Sequence, residues 1–180
     1  KKSTTKQLAG GRQTIEAGGS ALGGTISAGG LQAIVGASGM QGRAENVSVN
    51  NGGLQDVQAY GLAVSTRLNA GGSQTVQALG LADSTTVNSG GRQIIAAGGT
   101  AANSVANKGG IVSVQAGGVT SETTVNNGGT LALTGYNGLF GYRTNADAKD
   151  YFGVELYAAG AKFSQKMLEE IARKTIDEKS

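Results

Sequence analysis

The chain has 180 residues, of which 32 are glycine, and it contains no proline, cysteine, tryptophan or histidine. With 38% hydrophobic residues, 15% charged residues and a net charge of +3, this composition excludes collagen, zinc sites, thiol nucleophiles and Ser-His-Asp catalysis, and it argues against intrinsic disorder. No apolar run is long enough for a membrane span, and no basic stripe interleaved with aromatic residues indicates nucleic-acid binding.

The amino terminus carries a basic cluster of Lys1, Lys2 and Lys6, which is typical of a solvated terminus. No signal peptide opens the chain, so we expect either a cytoplasmic protein or the mature fragment of an exported one. The lack of cysteine is compatible with export, because such a chain needs no disulfide formation.

Gly-Gly pairs then recur along most of the chain at a nearly constant interval. They begin at residues 10, 29, 52, 71, 90, 109 and 128, so the steps are 19, 23, 19, 19, 19 and 19 residues. One repeat therefore carries four extra residues, which we place around residues 39–45. A fixed period of this length indicates a repeat architecture.

Within each repeat, the local period of the side chains is two. In the repeat that begins at Gly71, Gln74, Val76 and Ala78 fall on one face, and the residues between them fall on the other. We therefore predict an all-β fold, a parallel β-helix of about seven coils, with two short strands and two glycine turns in each coil. The small core residues Val, Ile and Ala predict a flat, narrow cross-section.

A glutamine column recurs three residues after the first glycine of a pair, at Gln13, Gln32, Gln55, Gln74 and Gln93. Two interpretations stay open. The amides either stack inside the solenoid and form hydrogen bonds along its axis, or they lie at a corner and face water.

The repeat pattern fades after Gly129, and seven of the eight aromatic residues lie beyond residue 135. We expect these aromatic residues to cover the open end of the solenoid. Residues 163–179 place Phe163, Met167 and Ile171 at helical spacing, which predicts an amphipathic α-helix. We interpret this segment as a cap, with a surface for association or a segment foreign to the repeats as alternatives. The predicted domains are a solenoid, 1–135, and a capping segment with a C-terminal helix, 136–180.

Five carboxylates lie within the repeats, at Glu16, Glu45, Asp56, Asp83 and Glu122. Cleavage of polysaccharides needs two carboxylates that flank one bond. By repeat position these five fall in different columns, so we interpret them as solvated charges. We predict a non-enzymatic protein and no catalytic, metal or cofactor site.

The units GGSQTVQALGLADSTTVNSGG, residues 71–91, and GGRQIIAAGGTAANSVANKGG, residues 90–110, resemble the repeat of AIDA-type self-associating autotransporters, which are bacterial surface adhesins. Gly-Gly, Gln, Val and Thr-x-Val-Asn occur in register, and the resemblance covers about residues 8–133. It implies a right-handed β-helical passenger on the cell surface, with adhesion, autoaggregation and biofilm formation as functions. The chain is then expected to be a mature passenger fragment without its translocator.

The resemblance also implies that a dedicated glycosyltransferase adds heptose to serine and threonine residues of the repeats. The matching positions, near the start of the second strand, are Ser65, Thr66, Ser84, Thr85, Ser104 and Thr123.

Three sets of apolar and insertion residues are candidate interaction surfaces. They are an outward column of Leu31, Leu54 and Ile111, the insertion residues Met40 and Arg43, and the helix residues Phe163, Met167 and Ile171. The expected partners are other copies of the chain, a glycosyltransferase and host surface glycans. The alternative function is a self-assembling scaffold or filament subunit whose C-terminal helix drives oligomerisation.

Overall fold

Each repeat folds into three short strands, which together make one coil of a parallel β-solenoid. The computed structural model describes residues 2–4, 7–134, 154–156 and 161–163, and its strands are numbered β1–β23 in chain order. The strands of successive coils stack into three sheets, A, B and C, and each coil runs through them in the order C, A, B.

Within the repeats, the strands of each sheet follow one another at intervals of three in the chain, and sheet C adds β22 directly after β21. Sheet A consists of β1 (Lys2–Thr4), β4 (Ser20–Leu22), β7 (Gly42–Glu45), β10 (Gly61–Val64), β13 (Leu81–Asp83), β16 (Thr100–Ala102) and β19 (Val119–Ser121). Sheet B consists of β2 (Leu8–Ala9), β5 (Thr25–Ser27), β8 (Ser48–Val49), β11 (Arg67–Leu68), β14 (Thr86–Val87), β17 (Val105–Ala106), β20 (Thr123–Val125) and β23 (Ala161–Phe163). Sheet C consists of β3 (Arg12–Ile15), β6 (Leu31–Ile34), β9 (Leu54–Val57), β12 (Ser73–Val76), β15 (Arg92–Ile95), β18 (Ile111–Gln115), β21 (Thr130–Thr134) and β22 (Val154–Leu156).

The prediction of two strands per coil is wrong, because each coil contributes a strand to each of three sheets. The flat cross-section stays a prediction. The strand that the sequence pattern missed is the one in sheet A. In β13 only Ala82 points inward and is fully buried, while its two neighbours are half-buried. A single small inward side chain gives too little periodicity to be recognised as a strand.

Ladders of identical or similar side chains fill the core. In sheet C, Val57, Val76 and Ile95 pair in register on consecutive coils, and all three are fully buried. In sheet B, Val49, Leu68 and Val87 form the equivalent ladder. Burial of each such side chain contributes about 1.5–3 kcal/mol, so the repeat stabilises itself coil by coil.

The glutamine column lies inside the solenoid, which decides between the two interpretations. Gln32, Gln55, Gln74 and Gln93 have no solvent exposure. Each donates from Nε2 to Oε1 of the glutamine in the preceding coil, over 2.7 Å from Gln32 to Gln13, 2.8 Å from Gln55 to Gln32, 2.7 Å from Gln74 to Gln55 and 2.8 Å from Gln93 to Gln74. The buried amides therefore form hydrogen bonds to one another along the axis.

The Gly-Gly pairs form the corner between sheets B and C. The first glycine of the pair takes the left-handed conformation, with φ of +73° at Gly71. The second glycine packs directly on the coil beneath it, and a Cβ on Gly72 would lie 2.0 Å from the carbonyl oxygen of Val49. Glycine is required at both positions, for two different reasons.

Two strands beyond the repeats pair antiparallel with the last coil. Strand β22 pairs with β21, and β23 pairs with β20, where Phe163 lies opposite Thr123. The prediction that the C-terminal helix begins at Phe163 is wrong, because this residue ends a strand. Met167, Ile171 and the rest of the predicted helix lie outside the described residues. The handedness of the solenoid and the boundary after residue 135 stay predictions.

Candidate functional site

Four of the six candidate glycan acceptors point into the core. Thr66, Thr85, Ser104 and Thr123 have solvent exposures of 1%, 0%, 0% and 0%. The Thr66 hydroxyl donates to Oε1 of Gln55 over 2.9 Å. These hydroxyls are not accessible to an enzyme in the folded coil, because their side chains are buried.

The other two candidate acceptors, Ser65 and Ser84, are half-buried at the corner between sheets A and B. Both adopt the left-handed conformation, with φ of +55° and +60°. Asn46, Asn103 and Glu122 occupy the same corner of other coils and share this conformation. The left-handed turn directs the side chains of this column away from the core. The residue that follows each of them in the chain is buried.

An apolar ridge lies at the opposite corner, between sheets C and A. It consists of Met40, Tyr60 and Leu79, which belong to consecutive coils and are 55%, 38% and 60% exposed. Tyr60 and Leu79 have φ of +58° and +63°, whereas later coils place Gly98 and Gly117 at the same corner. Bulky side chains are outliers in this region of backbone space.

The insertion forms a tight hairpin that adds Met40 to the ridge. The backbone of Ala37 and Met40 makes two hydrogen bonds of 2.8 and 2.9 Å around Gly39. Met40 Sδ lies 3.2 Å from the point where a Cβ on Gly18 would stand, so its side chain covers the preceding coil. Arg43 lies at the start of the next strand and forms an ion pair with Glu45.

The candidate column of Leu31, Leu54 and Ile111 is only partly brought together. Leu31 and Leu54 pair directly in sheet C, and both are half-buried. Ile111 is separated from Leu54 by Ser73 and Arg92, so the three side chains form no continuous apolar stripe.

Sequence reasoning identified Met40 but missed Tyr60 and Leu79, which complete the ridge. A detectable signal was available in the repeat alignment. Later repeats have Gly98 and Gly117 at the position of Tyr60 and Leu79. Among the repeats of 19 residues, only the repeats of Tyr60 and Leu79 have a large apolar residue there. A bulky residue where neighbouring repeats need glycine indicates a local role.

The carboxylates of the repeats take part in surface hydrogen bonds. Asp56 accepts from Gln58 Nε2 over 2.8 Å and from Gln77 Nε2 over 3.1 Å. Asp83 accepts from Ser84 Oγ over 3.0 Å and from Asn103 Nδ2 over 2.9 Å.

One prediction about these carboxylates is wrong. Glu45 and Asp83 do share a column, since both pair with Val64 from opposite sides. They stand two coils apart, and Glu45 is engaged by Arg43 while Asp83 holds its two surface partners. Within the described residues, no group of three or more acidic side chains is placed to hold a metal ion.

A polar groove of about 390 Å³ opens at the corner between sheets A and B. Its lining residues are Asn46, Val47, Ser48, Ser65 and Arg67.

Among the described residues, no helix is long and apolar enough to span a bilayer.

Residues 38–91 match the family described as AIDA, adhesin of the bacterial autotransporter system, probable stalk. Among solved structures, the chain is similar to a fragment of TibA that carries hyper-glycosylation catalysed by TibC, with 32% identity and a TM-score of 0.49. This match covers 73% of the chain and 61% of the TibA fragment, so the chain spans about three fifths of that fragment. No protein of curated function matches the chain.

Proposed function

We propose that this chain, whose repeats belong to the AIDA family of bacterial autotransporter adhesins, is a non-enzymatic adhesion module that is displayed on the cell surface and associates with copies of itself. The β-solenoid supplies a rigid stalk, because every coil repeats the same hydrogen bonds and core ladders. Association then depends on what the outer corners present.

The observation that carries this proposal is the apolar ridge of Met40, Tyr60 and Leu79. A left-handed backbone raises the energy of a non-glycine residue by about 1–2 kcal/mol. Exposed apolar side chains return little of this energy within the folded monomer, since they remain in contact with water. The ridge is therefore unfavourable for the isolated chain and becomes favourable when another surface covers it.

The geometry of the ridge suits a second copy of the same chain. Its three residues belong to consecutive coils, which are about 4.8 Å apart, so their backbones span about 10 Å. A two-fold axis through Tyr60 would place Met40 of one copy opposite Leu79 of the other, as in an isologous interface. The contact is small, and strong cell-to-cell adhesion would arise from many such contacts acting together.

Glycosylation is part of the proposed function in a narrower form. In the folded solenoid, Ser65 and Ser84 are the candidate acceptors that water reaches, and both stand at one corner. Modification of the four buried hydroxyls would have to precede folding. The proposed partner for this step is a glycosyltransferase. Intact-mass measurement on chain from its native host, compared with Ser65→Ala and Ser84→Ala variants, tests the assignment, and sugar additions that persist in the double variant would contradict it.

Self-association is tested by sedimentation velocity over a range of concentrations. We expect the double variant Tyr60→Gly, Leu79→Gly to remain monomeric at concentrations where the unchanged chain associates. The matched control is Leu22→Gly, because Leu22 is 55% exposed but lies in sheet A, outside the ridge. Association that persists in the double variant, or that is lost equally in the control, would contradict the proposal.

A further inference from the structure

The polar groove between sheets A and B contains an arginine that has no ion-pair partner among the described residues. Arg67 lies on β11, is exposed, and has no carboxylate within ion-pair distance among the described residues. The column on the neighbouring coils that holds Glu45 and Asp83 offers no free carboxylate among the described residues, because Glu45 pairs with Arg43 and Asp83 accepts hydrogen bonds from Ser84 and Asn103. A guanidinium has five N–H donors and no acceptor, so the groove presents unused positive charge.

The other polar groups of the groove are side chains, since its backbone donors are occupied. The backbone N–H groups of Asn46, Ser48, Ser65 and Arg67 donate to carbonyls of neighbouring coils over 3.0, 3.0, 2.9 and 2.9 Å. Among the described residues, the amide of Asn46 and the hydroxyls of Ser48 and Ser65 make no side-chain hydrogen bond, so they can bind a ligand. An amide and two hydroxyls both donate and accept, which matches the hydroxyl groups of a sugar.

Arg67 is a departure from its own repeat. Strand pairing places it in one column with Ser48, Thr86, Val105 and Thr124. Arg67 is the charged member of this column among the described residues, so a guanidinium stands at this corner in one coil of the column. A solvated stalk position needs no arginine here, because the other coils fold with small uncharged residues.

We propose that this groove binds a carboxylate-bearing sugar, such as a uronic acid residue of a surface polysaccharide. The Arg67 guanidinium pairs with the carboxylate in a bidentate arrangement, and Asn46, Ser48 and Ser65 bind the ring hydroxyls. The volume of about 390 Å³ lies within the usual range for small-ligand sites, which is about 300–1,000 Å³. Four of the five lining residues are polar or charged, which favours a polar ligand.

This inference deepens the proposed adhesive function and rests on it only for the source of the sugar. Binding of a purified sugar is independent of the ridge, which lies at another corner. The two proposals can therefore fail separately. A glycan attached to Ser65 would fill the groove, so the experiment uses unmodified chain.

The test is a titration with methyl glucuronide, followed by amide chemical shifts in NMR spectra. We expect saturable shifts at residues 46–48 and 65–67, and a loss of affinity of about tenfold or more in Arg67→Gln, since a charge-assisted bidentate pair is removed. The matched control Arg92→Gln changes another exposed arginine, on sheet C, and should bind as the unchanged chain does. Circular dichroism checks that each variant keeps its β-structure.

Two further ligands identify what the groove recognises. Methyl glucoside has the same ring without the carboxylate and should bind more weakly by about tenfold, as expected for a lost ionic hydrogen bond. Acetate has the carboxylate without the ring and should also bind more weakly. Equal affinity for acetate would overturn the assignment to sugars, and equal affinity of Arg67→Gln would overturn the role of the arginine.

Discussion

Gln74 donates from Nε2 to Oε1 of Gln55, nineteen residues earlier, over 2.7 Å, and both side chains are fully buried. The same Gln55 oxygen accepts the hydroxyl of Thr66 over 2.9 Å. One acceptor thus joins a donor from the next coil to a donor from its own coil. The polar ladder therefore fixes the stacking of coils and the position of sheet B within each coil.

We predict that Gln74→Leu lowers the free energy of unfolding by about 2–4 kcal/mol, although leucine has nearly the same volume. The substitution removes the acceptor of Gln93 Nε2 and of Thr85 Oγ1, and both donors remain buried. Urea unfolding followed by circular dichroism measures the change.

The control for this substitution is Thr75→Val on the outer face of the same strand. Thr75 is half-buried, and its change should alter stability by no more than about 0.5 kcal/mol. Equal stability of Gln74→Leu and Thr75→Val would show that the ladder makes no net contribution.

The ladder ends at Gln93, and its end leaves two polar atoms without partners. Val112 replaces the next glutamine, and Gln93 Oε1 and Ser104 Oγ are both buried without a hydrogen-bond partner among the described residues. In the two preceding coils a threonine at the position of Ser104 reaches its own glutamine. We therefore predict that Ser104→Thr raises stability by about 1 kcal/mol.

Alanine substitutions separate this explanation from simple packing. Ser104→Ala removes no hydrogen bond and should be nearly neutral, whereas Thr85→Ala breaks the bond to Gln74 and should destabilise the chain by about 1–2 kcal/mol. Thermal unfolding of the three variants gives the order. A larger loss in Ser104→Ala than in Thr85→Ala would contradict it.

The repeat spacing made the solenoid predictable, because identical intervals put identical residues in register. Val57, Val76 and Ile95 were recognisable as one ladder for this reason. Sheet A was not recognisable, since Ala82 alone marks its inner face in β13. The glutamine ladder was one of two possibilities until its burial was known, because alternation alone does not distinguish a corner from a core.

The candidate site was less predictable than the fold, since it depends on backbone conformation. Thr66 and Ser65 are adjacent in sequence, yet one is buried and the other is turned outward by a left-handed residue. Tyr60 and Leu79 were placed on an outer corner by the same conformation. Residue type and spacing do not reveal which side of a turn a side chain takes.

We predict that Leu79→Gly stabilises the folded monomer by about 0.5–1 kcal/mol while weakening association, because glycine relieves the left-handed strain at this residue. Leu22→Gly should instead destabilise the folded monomer by about 0.5–1 kcal/mol, because Leu22 ends an ordinary strand, where glycine is unfavourable. The two leucines have similar exposures, 60% and 55%, so the difference isolates the backbone term. Urea unfolding at a concentration where the chain is monomeric measures both, and destabilisation by both substitutions would argue against stored strain.

The spacing of the coils predicts a sharp contrast between two glycine substitutions. In Gly72→Ala the added Cβ would lie 2.0 Å from the Val49 carbonyl oxygen and 2.6 Å from its carbon. No side chain can move to relieve this contact, because both atoms belong to the backbone of the adjacent coil. We expect a loss of about 4 kcal/mol or more, with the transition shifted to much lower urea concentration. Gly39→Ala meets no atom within 4 Å, although Gly39 has φ of +77°, so it should lose only about 1–2 kcal/mol. Similar losses in the two variants would mean that backbone conformation, and not the close approach of coils, makes glycine necessary at the corner between sheets B and C.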